Sequence, residues 1–341
     1  MSDHDVDPRL LILRQQYMQL FEPDFLAWPS PDLLKSADVQ KWLHRRLFDP
    51  SLNPYLPSDS YQLIVLKLLL YKIKKAAGDL RRTLHRLLAN KVLSNLETPE
   101  ENVYVTFTCA PEKLDLTNGY DNDASERTIT LLERRHLISG SRITGFKTWE
   151  ASLHLGSYLM TATGSDLVRN KNVLELGAGT GFLTILLTKH LQANYVTATD
   201  GDGKVVEALN ENIALNGPRT QRNTRTGTLA WGADLEGTWA EDECLIHPYD
   251  IVIGADIIYD QVAISDLVST LRRLFHMRPE LRALISGVVR NAETFQMFKN
   301  ECASRHFTIE DIEFEPKSIR QQRSLFYAAA MPIKILSITR S

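Results

Sequence analysis

The segment Val173-Leu174-Glu175-Leu176-Gly177-Ala178-Gly179-Thr180-Gly181-Phe182-Leu183 constrains this chain more than any other stretch. An apolar run reads as a buried strand, breaks on alternating glycines and passes into an apolar helix. Glycines at such a break let the backbone turn tightly and let a ligand approach the main chain. The sequence that follows fits a parallel sheet. Strands are predicted at Asn172–Leu176, Tyr195–Thr199, Gly227–Trp231, Asp250–Ala255 and Arg282–Val288. They alternate with helices predicted at Phe182–Leu191, Lys204–Asn216, Val262–Leu274 and Glu293–His306. That order implies a parallel sheet covered on both faces. Two further strands, Phe307–Phe314 and one within Leu325–Ile338, follow without a helix between them, so they must pair antiparallel.

A glycine loop in this setting takes a nicotinamide cofactor or S-adenosyl-L-methionine. Dinucleotide sites want Gly-x-Gly-x-x-Gly, whose third small residue packs helix on strand. Here the glycines run Gly-x-Gly-x-Gly, and Phe182 occupies the place of that third residue. Glu175 precedes the first glycine by two positions. A carboxylate there repels pyrophosphate and suits a cationic methionine moiety. The methyl donor is therefore the reading adopted. Asp200 closes the next predicted strand, where a carboxylate accepts hydrogen bonds from ribose hydroxyls. The bland alternative is a helix cap, for which Asp202 is better placed. Trp231 ends the third predicted strand and can cover an adenine face, or it is a core tryptophan. Trp149 lies just before the sheet and could close the pocket from above.

On the acceptor side, the fourth strand ends in Ala255-Asp256-Ile257-Ile258-Tyr259. Ligands bind at the carboxyl ends of such strands, so Asp256 and Tyr259 are expected to face the transferred methyl. Otherwise Asp256 caps the next helix and Tyr259 packs. Methyl transfer is an in-line displacement that needs an aligned, desolvated nucleophile. A lysine amine, with an ordinary pKa of about 10.4, must first lose a proton. A carboxylate and an aromatic ring would serve that end. No metal cluster is arranged for hydrolysis, so plain alkyl transfer without a metal is expected.

The rest of the chain narrows the class. Net charge is −3, which argues against a dedicated nucleic-acid binder. Cys109, Cys244 and Cys302 lie far apart, without disulfide or zinc spacing. The acidic start, Met1–Pro8, is not a secretory signal, and Leu63–Tyr71, broken by Lys67, is too short to span a bilayer. No membrane association is expected, and the cytoplasm is the expected location. Residues 9–99 read as helices, with helical spacing at Leu10, Leu13, Tyr17 and Leu20 and Pro-rich breaks at Ala27–Pro31 and Asp49–Pro57. Ser60–Leu88 reads as helix interrupted at Gly78-Asp79. Its polar positions are mostly basic: Lys67, Lys72, Lys74, Lys75, Arg81, Arg82 and Arg86. They form either a solvated face or a docking surface for an acidic partner. Val103–Thr108 and Thr128–Glu133 predict a small hairpin, with Leu116–Ser125 as a polar loop.

A parallel sheet ending in an antiparallel pair is the arrangement of class I methyltransferases. Gly177–Gly181, Asp200, Trp231 and Asp256–Tyr259 resemble the family 16 protein methyltransferases. The segment Thr144–Ser152 (TGFKTWEAS), the run Thr128–Ile138 and Val289–Phe295 (VRNAETF) resemble the elongation factor 2 lysine methyltransferase branch in its fungal form. The likeness is strong from about residue 101 onward and weak before it. It implies a seven-stranded, Rossmann-like α/β domain over residues 101–341 with a leading β-hairpin. A helical extension over residues 1–100 would precede it and offer a docking region. Trp149, Glu175, Gly177, Ala178, Gly179, Gly181, Asp200, Trp231 and Ala255 would contact S-adenosyl-L-methionine, and Asp256 and Tyr259 would border the lysine. The implied partner is eukaryotic elongation factor 2, met by a monomer without direct nucleic-acid contact. Phe182 is bulkier than the family's usual residue and is expected to reshape the pocket floor. Arg290 and Asn291 match the family without a derived role beyond helix entry or acceptor contact. Methylation of another protein or of RNA, or non-catalytic binding of a translation factor, remains the alternative.

Overall fold

The computed structural model describes residues 6–73, 78–94, 102–109, 127–134 and 144–340. Two compact units divide the chain, Met1–Gly140 and Ser141–Ser341. The sequence reading set its boundary at residue 100; the compact units divide at 140, so the hairpin groups with the helices.

In the first unit, α1 spans Pro8–Met18, α2 Pro31–Lys35, α3 Ala37–Leu43, α4 Asp59–Lys72 and α5 Gly78–Ser94. Asp7, Ser30 and Ser58 cap α1, α2 and α4 by accepting backbone N–H bonds, and Pro8 and Pro31 pre-set the first turns. Of the apolar stripe read at Leu10, Leu13, Tyr17 and Leu20, the first three are buried, packed with Leu43, Phe48, Leu66 and Leu69, while Leu20 lies past the end of α1 at φ 56°. The expected break at Gly78-Asp79 falls slightly earlier: α4 ends at Lys72, and Gly78 opens α5. Lys67, Arg81, Arg82 and Arg86 are exposed, while Lys72 lies 5.3 Å over the Trp28 ring. Lys74, Lys75 and the Leu116–Ser125 loop lie outside the described residues. The hairpin pairs β1 (Asn102–Thr108) with β2 (Thr128–Arg134) antiparallel, Val105 opposite Leu131.

The second unit holds a seven-stranded sheet, β3 (Asn172–Leu176), β4 (Tyr195–Asp200), β5 (Thr224–Thr228), β6 (Ile251–Ala255), β7 (Arg282–Val288), β8 (Phe307–Ile312) and β9 (Ile333–Arg340). Its order is β5-β4-β3-β6-β7-β9-β8. The first five strands are mutually parallel, and β9 runs antiparallel to both β7 and β8, as the missing crossover requires. The helices are α6 (Glu150–Leu159), α7 (Ala162–Asp166), α8 (Phe182–Lys189), α9 (Gly203–Leu215), α10 (Pro218–Arg222), α11 (Trp239–Ile246), α12 (Gln261–Met277) and α13 (Ala292–Ser304). Leu174, Leu176, Val252 and Ile285 pack with Leu267, Leu271 and Phe298 of α12 and α13. This is the class I methyltransferase fold. Among the described residues, no helix is long and apolar enough to cross a membrane.

Two strand predictions shift. The third strand is Thr224–Thr228 rather than Gly227–Trp231. It is a polar edge strand, so the apolar Leu229-Ala230-Trp231 drew the sequence reading past its end. The last strand is Ile333–Arg340, and Leu325, Phe326 and Tyr327 before it are buried without being strand. Gln322 satisfies that loop: its Oε1 accepts the Tyr327 N–H at 2.9 Å, and its Nε2 donates to the Tyr327 carbonyl at 2.9 Å.

Candidate active site

At the carboxyl ends of the parallel strands lies a cavity of about 490 Å³. The glycine loop makes its floor. Gly177, Gly179 and Gly181 all have positive φ, at 66°, 53° and 84°, where a side chain would be strained. A Cβ on Gly177 would sit 2.6 Å from Ile257, and one on Gly179 would sit 3.2 Å from the Gly145 carbonyl. The loop is pinned by the Ala178 N–H donating to the Thr199 carbonyl at 2.8 Å and by Asn212 Nδ2 donating to the Thr180 carbonyl at 3.0 Å. The segment before α6 is tied to this floor by a buried 2.7 Å contact between the Thr148 and Thr180 hydroxyls.

Asp200 stands at the end of β4 on the cavity wall. Its carboxylate accepts the Gly179 N–H at 3.1 Å and the Asp202 N–H at 3.2 Å. Burial pushes this carboxyl above its ordinary value, against the pull of those backbone donors. Asp202 caps α9 instead, accepting the Lys204 N–H at 2.7 Å, so the capping alternative for Asp200 fails. The wall continues through Leu229, Trp231 and Ile257. Trp231 lies in the loop after β5, not in the strand. Thr270 on α12 accepts the next N–H, from Gly232, at 2.9 Å. Trp149 also lines the cavity, with its indole N–H on the Thr144 carbonyl at 3.0 Å.

Two of the expected cofactor residues are not on the cavity wall. Glu175 is buried beneath the loop, where its carboxyl accepts the Thr184 hydroxyl of α8. Burial pushes it up to about 8. Its position on β3 turns it toward α8, so it does not face the ligand space. Gly181 serves packing: a Cβ there would meet Leu209 of α9 at 2.4 Å. Phe182 lines the cavity, and it fits because α6 carries Gly156 opposite it, where a Cβ would be 2.9 Å from the ring.

At the mouth, Ala255, Asp256 and Tyr259 line the cavity. Asp256 adopts φ 55°, left-handed for a non-glycine residue. Strained backbone of this sort collects at functional sites. Asp260, not Asp256, caps α12, accepting the Val262 N–H at 3.0 Å. Tyr259 is 57% exposed, so it forms a rim rather than packing into a core. Arg290 grips Asp256 with two nitrogens at 3.0 and 3.3 Å. Asn291 has the plainer role: its side chain caps α13 by accepting the Glu293 N–H at 2.8 Å. Lys147, Thr148, Leu229 and Ile257 also line the cavity; Lys147, Thr148 and Ile257 fall inside segments quoted from the sequence, but none of the four had an individual role there.

The lysine methyltransferase family profile matches residues 137–301. A protein-lysine N-methyltransferase EFM3 of Chaetomium thermophilum is 37% identical over 95% of this chain and 96% of its own length. The chain belongs to the lysine methyltransferase family. The EFM3 of Saccharomyces cerevisiae is 31% identical over 65% of this chain and 67% of its own length. Human protein-lysine N-methyltransferase EEF2KMT is 26% identical over 94% and 96%. The chain is thus an S-adenosylmethionine-dependent methyltransferase of lysine. The cavity suits that donor: glycine backbone open to a ligand, a carboxylate at the second strand end for hydroxyls, and an apolar wall for a base. Among the described residues, no group of three or more His, Cys, Asp or Glu side chains could hold a metal.

Proposed function

We propose that this enzyme methylates a lysine of eukaryotic elongation factor 2. The observation that carries the reading is the reach of the likeness. EFM3 and EEF2KMT match 95% and 94% of this chain, helical first unit included. By contrast, mouse EEF1A lysine methyltransferase 3 is 32% identical over 50% of it. The branch-specific segments TGFKTWEAS and VRNAETF also supply Trp149 and Arg290 to the cavity. The enzyme acts as a cytoplasmic monomer on this reading.

The donor supplies an activated methyl group. Gly177, Ala178 and Gly179 cradle its methionine end, Asp200 accepts from its ribose, and Trp231 with Leu229 and Ile257 covers its base. Trp149 closes the pocket. Ala255 borders the mouth beside the acceptor. Asp256 accepts an N–H of the incoming lysine amine, and Tyr259 walls its aliphatic stem. Orientation and exclusion of water then contribute most of the rate, since no covalent enzyme intermediate is needed. Glu175, protonated or hydrogen-bonded beneath the loop, supports the floor rather than touching the donor.

The test is incubation of pure enzyme and labelled donor with elongation factor 2, and in parallel with elongation factor 1A, both from cells lacking this enzyme. Label on a lysine of elongation factor 2 alone is expected. Label on elongation factor 1A alone overturns the substrate.

A further inference from the structure

Arg290 follows β7, and its guanidinium lies between two carboxylates from different elements. Asp256, at the end of β6, takes two of its nitrogens at 3.0 and 3.3 Å. Glu150, which opens α6, stands 3.7 Å from it. The guanidinium also lies 5.6 Å over the Trp149 ring. A paired fork of this kind fixes the direction of a carboxylate as well as its charge. The Val288 N–H adds a third donor to Asp256 at 3.2 Å, and only 8% of the Asp256 side chain stays exposed.

This arrangement bears on the protonation of the lysine. An isolated carboxylate at the mouth would pair with an ammonium and hold lysine in its charged form, which has no lone pair to give. A carboxylate already matched by a guanidinium still accepts a hydrogen bond without contributing net negative charge. We propose that Arg290 is a positioning residue that aims Asp256 at the acceptor amine and cancels its charge, so that lysine is received as the neutral nucleophile. The inference rests on the reading that lysine enters beside Asp256. In the step served, the lysine nitrogen's lone pair forms the new N–C bond while the donor's C–S bond breaks with its electron pair left on sulfur. The proton leaves the amine for solvent before that displacement.

Other charged and titratable groups face the same space. Lys147, in the segment before α6, lies 4.8 Å over the same Trp149 ring and adds positive charge. Asp200 and Asp202 line the wall at the β4 end, and Tyr259 the rim after β6. Counted with Glu150, Asp256 and Arg290, two cations face four carboxyl groups; Arg290 is the cation paired directly with Asp256, so removing it leaves that carboxylate unmatched where the amine arrives.

The experiment measures label incorporation at saturating donor against pH, into the protein that the wild-type enzyme labels in an extract of cells lacking it. The acceptor's identity therefore does not enter. Arg290→Gln is expected to move the acid limb of the rate profile upward by about one pH unit. That is about a tenfold loss near neutrality, recovered at alkaline pH, with KM for the acceptor unchanged or lower. Arg290→Lys keeps the charge but loses the fork, so its limb stays near the wild-type position while its maximal rate falls. Donor affinity, titrated separately, stays at the wild-type value in both. A loss of equal size at every pH, no loss at all, or a loss accounted for by weaker donor binding overturns the proposal. Asp256→Ala with wild-type rates instead removes the reading of the acceptor side on which it stands. An inactive Asp256→Ala beside an unmoved Arg290→Gln limb defeats this proposal alone.

Discussion

The floor and the mouth of the cavity are built from different materials. The floor is backbone: positive-φ glycines at 177 and 179, held by main-chain bonds to β4 and by Asn212. The mouth is side chains that converge from separate elements: Trp149 before α6, Asp256 and Tyr259 after β6, and Arg290 after β7. A backbone floor can grip any donor of the right shape with little freedom to change. A side-chain mouth can be re-cut for a new acceptor by single substitutions. On the proposed reading, donor binding and acceptor choice occupy separable parts of one site.

Separable parts should fail separately. Asp256→Ala ought to lower methylation on the order of 100-fold, the cost of a misplaced nucleophile, while calorimetry shows donor affinity retained. Loss of both together would mean that the two halves are not distinct. Asp200→Ala should act in the opposite sense. Donor affinity falls about tenfold or more, the scale of hydrogen bonds to a charged group, and saturating donor restores most of the rate. Gly177→Ala places a Cβ 2.6 Å from Ile257 at φ 66°. A fall in unfolding free energy of about 1–2 kcal/mol is expected by denaturant titration, with weakened donor binding.

The smallest effect lies beneath the floor. The Glu175 carboxyl is raised from 4.5 to about 8 by burial. Between those values the folded chain keeps a proton that the unfolded chain has released, so stability falls as pH rises through the window. Glu175→Gln should flatten that slope in Tm measured against pH and leave donor affinity alone. His154 works in the other direction. Burial lowers it from 6.5 to about 4, so its contribution to stability is lost as pH falls between them. The substitution at Glu175 should leave that acid-side loss unchanged.

The floor was legible because glycine spacing and strand endings follow directly from local backbone rules, as Gly177, Gly179 and Asp200 show. Glu175 lies beneath the cavity wall rather than on it, because sequence gives its place on the strand but not the face on which a neighbouring helix waits with a hydroxyl. Trp231 was assigned to a strand because the true edge strand, Thr224–Thr228, is too polar to show an apolar rhythm. Arg290 matched a family pattern without a role, since its partners lie 34 residues away at Asp256 and far earlier at Glu150. Such a meeting depends on the order of strands in the sheet, which no local pattern encodes.

Phe182 and Gly156 occupy a single parcel of space from two directions. The ring fills what the missing Cβ vacates, with 2.9 Å between the ring and the place a methyl would take. Neither residue can grow unless the other shrinks, so the pair behaves as one position with a fixed total volume. Descendants of this chain that trade the ring for a smaller group inherit room for a larger residue on the facing helix, and the two changes should be tolerated together more readily than either alone.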